Sequence, residues 1–383
     1  MTTATRRYDI DWLRVIAIAL LLIFHIAIVF QPWGALIGFI QNSETWVNLW
    51  IPMSMLNVWR IPLLFFISGM GVCFAMRKRN WKQLLTERTK RILVPFVFGV
   101  FFIVPLHWAI WQNYYNQEVT YMLTRSHLWF LGNIFAYVIF LLPLFYFLKK
   151  HKAGKISYRV SKFFSNPLSL LVVIIPFVLE AVLVKPELFT LYAMNWHGFF
   201  IGLLAFLFGY LFVYSGDAFW NTVYKWKWAL LVVSATMFTI RWQYFNLEGP
   251  GYLMATESNL WIFTIFGFAR YLNRPSKVLN YLTKAAYPVY IVHMLFLYLS
   301  SIAILPLEIS PVAKFLLMIL ATNFGCYAIY ELLIRRVGFI GMFFGLNYKP
   351  AKVKPVESEK AELRLNPVAE VANYKNDLRS MLK

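Results

Sequence analysis

IDWLRVIAIALLLIFHIAIVF, residues 10–30, is an apolar run of membrane-spanning length that carries Arg14 and His25 in its interior. About 20 apolar residues at 1.5 Å rise cross the hydrocarbon layer. Eleven residues separate the two polar side chains, about three full helical turns. Both therefore fall on one face, roughly 16 Å apart along the axis. Ionisable groups at that depth are costly and normally turn toward a bundle interior or a polar cavity, so the pair reads as a functional stripe.

The rest of the chain has the same character. Of its 383 residues, 60% are hydrophobic and only 14% charged, too apolar for one soluble core. The expected fold class is all-α, a polytopic membrane bundle. Apolar windows near 10–30, 51–76, 93–111, 128–148, 167–184, 197–214, 228–245, 252–272, 286–304 and 312–334 predict about ten transmembrane helices. The first window lacks a small-x-small cleavage site and is not read as a cleavable signal. Residues 1–346 form the membrane domain. From Asn347 to Lys383 the sequence mixes charges and prolines without sustained apolar periodicity and reads as a mobile cytoplasmic tail.

Charge orients the bundle. Arg77, Lys78, Arg79, Lys82, Arg88, Lys90 and Arg91 follow the second window, and Lys149, Lys150, Lys152, Lys155, Arg159 and Lys162 follow the fourth. The alternate loops carry only Arg125 and Lys185 as basic residues. By the positive-inside rule both termini are cytoplasmic. The net charge of +20 is then a property of cytoplasmic loops, and no nucleic-acid partner is expected. Cys73 and Cys326 both fall in spans, which argues against a disulfide framework. No HxxxH, HxxE or Cys-His spacing accompanies His25, so no metal is expected.

In this topology Arg14 sits near the inner surface, while His25, His107, His127 and His197 share the outer level. A neutral imidazole there can accept a proton at physiological pH, which makes His25 a candidate general base. In TERTKRILVPF (86–96), Arg88 and Arg91 form an RxxR element three residues apart. It reads either as a phosphate grip or as a plain positive flank. Arg60, Glu180, Arg241 and Glu257 fall in the outer half, as interhelical pairs or as acceptor contacts.

These residues resemble the acyltransferase-3 family of integral membrane acyltransferases. DIDWLRVIAIALLLIFH (9–25) is similar to its first helix, with an arginine, ten residues and a histidine. RIPLLFFISGM (60–70), the RxxR element and AYPVYIVHMLFLY (286–298) follow in the family's order. SHLWFL (126–131) further resembles the branch containing glucans biosynthesis protein C. The resemblance implies transfer of an acyl group, acetyl or succinyl, from cytoplasmic acyl-CoA to a sugar hydroxyl of an extracytoplasmic glucan or other polysaccharide. It implies His25 as general base, Arg14 orienting the donor or stabilising negative charge, and Arg88 with Arg91 on the coenzyme A phosphates. His127, Trp129 and His197 lie where the glycan acceptor would approach, and His293 either lines the donor path or bonds a neighbouring helix. A bacterial inner-membrane location goes with this reading. The competing expectation is a transporter or flippase of a sugar-containing or proton-coupled substrate, with His25, Glu180 and Glu257 as a proton relay.

Overall fold

The computed structural model describes residues 6–346, and the tail expected to be mobile, 347–383, lies outside the described residues. Every described regular element is helical: α1 (Tyr8–Ile28), α2 (Trp50–Met76), α3 (Trp81–Arg88), α4 (Val94–Phe98), α5 (Val104–Tyr114), α6 (Trp129–Lys150) and α7 (Lys155–Phe164). Then follow α8 (Leu168–Val184), α9 (Trp196–Tyr214), α10 (Ala218–Phe245), α11 (Gly251–Ala269), α12 (Lys277–Ile304), α13 (Pro311–Ile329) and α14 (Gly338–Phe343). The chain is a multi-pass helical membrane protein. Among the described residues seven helices are long and apolar enough to cross a bilayer. The pair α7 and α8, bent by 94°, supplies an eighth if counted as one span. The windows expected at 228–245 and 252–272 also form full-length helices, α10 and α11. Lys227 and Arg241 in one, and Glu257, Ser258 and Asn259 in the other, make them more polar than the rest.

Local chemistry explains the helix boundaries. Asn195, Ser276 and Ser310 each accept a backbone N–H at the start of α9, α12 and α13. Asn80 and Gln83 form a reciprocal capping box that starts α3. That start changes one expectation: the basic segment after α2 is not a loop. Trp81–Tyr114 runs as one helical rod, with π-type turns at Thr89–Leu93 and Gly99–Ile103 joining α3, α4 and α5.

Helix α2 is the hub, packed against α1, α6, α9 and α11. Its contact with α9 is backbone-close. A Cβ at Gly69 would stand 1.9 Å from the Phe206 carbonyl oxygen, and one at Gly209 would stand 2.0 Å from that of Phe66. Without water to drive association inside a bilayer, such small-residue contacts are what hold membrane helices together.

The two ends of the bundle differ in chemistry. At the basic end the Arg6 guanidinium donates to Asn280 at the start of α12, Lys149 donates to the Arg79 carbonyl, and Lys152 donates to the Tyr214 carbonyl. At the other end the aromatic segment between α1 and α2 is pinned by α5: Trp111 and Tyr115 donate to the Phe39 carbonyl, at 3.4 and 3.2 Å. Helix α1 joins the two, with Arg14 toward the basic end and His25 toward the aromatic one.

Candidate active site

The polar stripe of α1 meets different partners at its two ends. At the basic end the partner is Gly71 of α2. The Arg88 Nη2 donates to the Gly71 carbonyl at 3.2 Å, and an Arg14 Nη2 lies 3.7 Å from where a Gly71 Cβ would be. Arg14 and Arg88 thus converge across a position that lacks a side chain. Arg14 has only a long contact to Asp11, 3.5 Å, and Asp11 is already taken by Arg6 at 2.7 and 2.9 Å. Donors remain for an anion here, including the buried, unpartnered Nε atoms of Arg88 and Arg91.

The RxxR pair does not share a face as ordinary helical spacing predicts. The π-type turn at Thr89–Leu93 starts directly after Arg88 and contains Arg91, and it widens the helix there, as such turns do near functional sites. Arg88 turns inward to Gly71, while Arg91 stays outward, its Nη1 3.4 Å from Glu87. The convergence is of Arg88 with Arg14, with Arg91 alongside.

At the other end His25 meets His293 of α12. The His25 Nδ1 lies 2.9 Å from the His293 Nε2, and the rings lie nearly in one plane, with centroids 5.1 Å apart and an interplanar angle of 7°. The His293 Nδ1 lies 2.7 Å from the Tyr290 carbonyl oxygen. A carbonyl can only accept, so His293 carries its proton on Nδ1. In the neutral pair its Nε2 then accepts from His25 Nδ1–H. The Nε2 of His25 is left as the basic nitrogen. It makes no hydrogen bond, and the side chain keeps accessible surface although Phe24 and Ile26 beside it are buried.

Two further histidines extend the group. His127 stands edge-on to His293 at 4.9 Å, and His107 is 5.5 Å from His127. The His127 Nε2–H donates to the Ile291 carbonyl at 3.1 Å, leaving its Nδ1 buried without a partner. The Tyr290 hydroxyl returns a bond to the His127 carbonyl. Ser126, whose Oγ lies 3.3 Å from the His107 Nε2, holds a left-handed φ of 38° in leading the chain into His127. Such strain persists only where the surroundings over-determine it.

Of the residues expected together, His25, His107 and His127 meet, and His293 joins them. His197 does not. It is buried between α8 and α9, with Nδ1 3.0 Å from both Glu180 oxygens and Nε2 2.8 Å from the Phe189 carbonyl. Both partners are acceptors, so neither ring nitrogen is left for a ligand. Trp129 is 7% exposed with its ring against Phe65 at 6.1 Å, and offers no open stacking face. Trp50 does line a cleft, with Phe189, Asn57, Glu187, Glu248 and Arg241. Its ring touches Phe24, the neighbour of His25, at 5.5 Å. The remaining intramembrane charges separate cleanly. Arg241 and Glu257, both wholly buried, form a two-point pair at 2.6 and 3.0 Å. Arg60 has no such partner. Among the described residues no three side chains converge to hold a metal ion.

The resemblance of residues 286–298 marks His293 in the sequence, with its role open between lining the donor path and bonding a neighbouring helix; the contact with His25 settles on the helix bond. Gly71 and Trp50 gave no signal beyond their residue type. No curated protein and no solved structure matches the chain. A family model described as an acyltransferase domain matches residues 7–331, a span that takes in both ends of the α1 stripe, Gly71 and the four histidines. The chain therefore belongs to the acyltransferase-3 family of membrane acyltransferases.

Proposed function

We propose that the protein transfers an acyl group from cytoplasmic acyl-CoA to a sugar hydroxyl of an extracytoplasmic glycan, with His25 as the general base. The observation that carries this reading is the His25–His293 pair, which leaves a free Nε2 on the same helix that brings Arg14 to the arginine seat at Gly71. The seat suits the anionic phosphates of coenzyme A, through Arg88 and Arg91 with Arg14 nearest the thioester. The His25 Nε2 takes the proton of the acceptor hydroxyl as its oxygen attacks the thioester carbonyl carbon. The carbon–sulfur bond breaks, and the departing thiolate receives the proton to give free coenzyme A. Positioned general bases supply roughly 10²- to 10⁴-fold in rate. The acceptor enters past Trp50 and Asn57, with His127 within reach of the reacting atoms through its unpartnered Nδ1. His197 and Trp129 contribute by holding the walls.

The charge asymmetry of the two ends supports an orientation with the basic end in the cytoplasm, and an inner-membrane location goes with this reading. The acyl group is acetyl or succinyl, and a glucan or other polysaccharide is the acceptor. A proton-coupled transporter or flippase built on His25, Glu180 and Glu257 draws less support. Glu257 is locked to Arg241 and Glu180 to His197, so neither carboxylate stands in a chain with His25. Membranes supplied with labelled acetyl-CoA or succinyl-CoA provide the test. Label should enter the glycan fraction with the wild-type protein and not with His25→Ala. Undiminished transfer by His25→Ala would refute the base assignment.

A further inference from the structure

The elbow where α7 turns into α8 collects hydrogen-bond donors that the chain itself does not use. Arg159 and Lys162 of α7, Asn166 of the turn and Ser169 of α8 line an open hollow of about 340 Å³, and no carboxylate lines it. Ser169 is 2% exposed, and its Oγ is buried without a hydrogen-bond partner. Serines inside other helices, Ser68, Ser234 and Ser301, return their hydroxyl to the carbonyl four residues back. A buried hydroxyl left over in this way calls for a partner from outside the chain. The cations are spare as well. Lys149 and Lys152, just before α7, donate to the Arg79 and Tyr214 carbonyls, whereas Arg159 and Lys162 have no partner among the described residues. From Lys149 to Leu179 the sequence holds no Asp or Glu.

The geometry of the elbow says what kind of anion fits. Helices α7 and α8 meet at 94°, so with α8 crossing the bilayer α7 lies along its surface, at the basic end of the bundle. Packing holds it there before any ligand arrives. The Phe164 ring sits edge-on to Phe212 and Phe219, at 5.4 and 5.9 Å, and Thr222 donates to the Phe164 carbonyl at 2.7 Å. Arg159 and Lys162, three residues apart, share a helix face. The hollow also has an apolar wall, Leu168 and Val172. With Ile175 and Leu179 they form one exposed apolar face of α8, which continues from the hollow along the helix. A phosphate diester carrying acyl chains matches both parts. A soluble phosphate would leave the apolar face unused.

We propose that the α7–α8 elbow is a binding site for an anionic phospholipid. Arg159 and Lys162 grip the phosphate oxygens, the Ser169 hydroxyl and the Asn166 amide donate to them, and an acyl chain follows the face of α8 from Leu168 to Leu179. The site is separate from the histidine group and does not depend on the acyl-transfer reading. Two cations at an anionic headgroup, with charge-assisted hydrogen bonds, correspond to a preference of roughly 10- to 100-fold over a zwitterionic lipid. A lipid held by the folded elbow also raises thermal stability by mass action.

The test uses the purified full-length protein, delipidated in a neutral detergent. Binding and melting temperature are measured with phosphatidylglycerol, with phosphatidylcholine of the same chains, and with glycerol 3-phosphate as the bare headgroup anion. Wild type should bind phosphatidylglycerol 10- to 100-fold more tightly than phosphatidylcholine and melt at a higher temperature with it. Arg159→Gln with Lys162→Gln should bring the ratio near one, and Ser169→Ala should lower it severalfold. Lys78→Gln with Arg274→Gln, which removes two exposed cations away from the hollow, should keep it. A wild-type ratio near one overturns the proposal without needing any variant to fold. Equal loss in the Lys78 and Arg274 pair overturns it too, because the attraction is then general surface charge, and so does a ratio that Ser169→Ala leaves unmoved. Glycerol 3-phosphate binding as tightly as phosphatidylglycerol would make the ligand a soluble phosphate and not a lipid, which also overturns it.

Discussion

Replacing His293 with alanine tests whether the two hydrogen-bonded histidines act as one base. The His25 Nδ1–H would lose its acceptor at 2.9 Å, and with it the contact that fixes both the tautomer and the direction of Nε2. Leaving a buried donor without its partner costs about 1–3 kcal/mol, or roughly 5- to 150-fold in rate if the whole loss falls on the transition state. The effect should be smaller than that of His25→Ala, which removes the base and its roughly 10²- to 10⁴-fold contribution. It should appear in kcat, because the donor seat lies at Gly71 beside Arg14, about 16 Å along α1 from His25. His293→Gln can present an amide oxygen to the same N–H and should recover most of the loss. The assay is steady-state acyl transfer in membranes, with protein amount set by fluorescence-detected gel filtration. Full kcat in His293→Ala, or a loss confined to the KM for acyl-CoA, would refute the reasoning.

Gly71→Leu should raise the KM for acyl-CoA at least tenfold with little change in kcat, since its side chain fills the space where Arg14 and Arg88 converge; titrating donor in the membrane assay checks this. Glu257→Gln should lower thermal stability in detergent by about 3–5 kcal/mol, because it leaves the Arg241 charge buried and unpaired. Arg241→Met with Glu257→Leu together should recover much of that. His197→Ala should lower the melting temperature without changing acceptor KM, as its two bonds go to Glu180 and the Phe189 carbonyl. A changed acceptor KM at unchanged stability would contradict its structural role. Gly209→Leu should abolish folded protein on gel filtration, because the α2 backbone occupies the place of its Cβ.

Much of the architecture can be read from a few residues. The apolar run 10–30 holds two polar side chains at helical spacing, and α1 carries them to opposite ends of the site. The basic runs after residues 76 and 148 predict a charged end, which the contacts of Arg6, Lys149 and Lys152 gather together. Other features were hidden because they depend on lateral packing, which linear spacing does not encode. Depth along a helix places His197 level with His25, yet His197 sits on α9 and turns to Glu180 of α8. Spacing of three places Arg88 and Arg91 on one face, until a π-type turn intervenes and Gly71 of α2 captures one of them. Arg60 and Arg241 look alike as lone arginines in apolar runs. Only the position of Glu257 distinguishes the neutralised one from the one without a carboxylate partner among the described residues.

The most direct measurement of the central claim uses sealed inverted membrane vesicles, with labelled acyl-CoA outside, on the face that was cytoplasmic, and a glycan acceptor trapped within. The account predicts that label reaches the trapped acceptor through the wild-type protein and that His25→Ala abolishes this. Labelling that requires donor and acceptor on the same side, or that persists in His25→Ala, would contradict it.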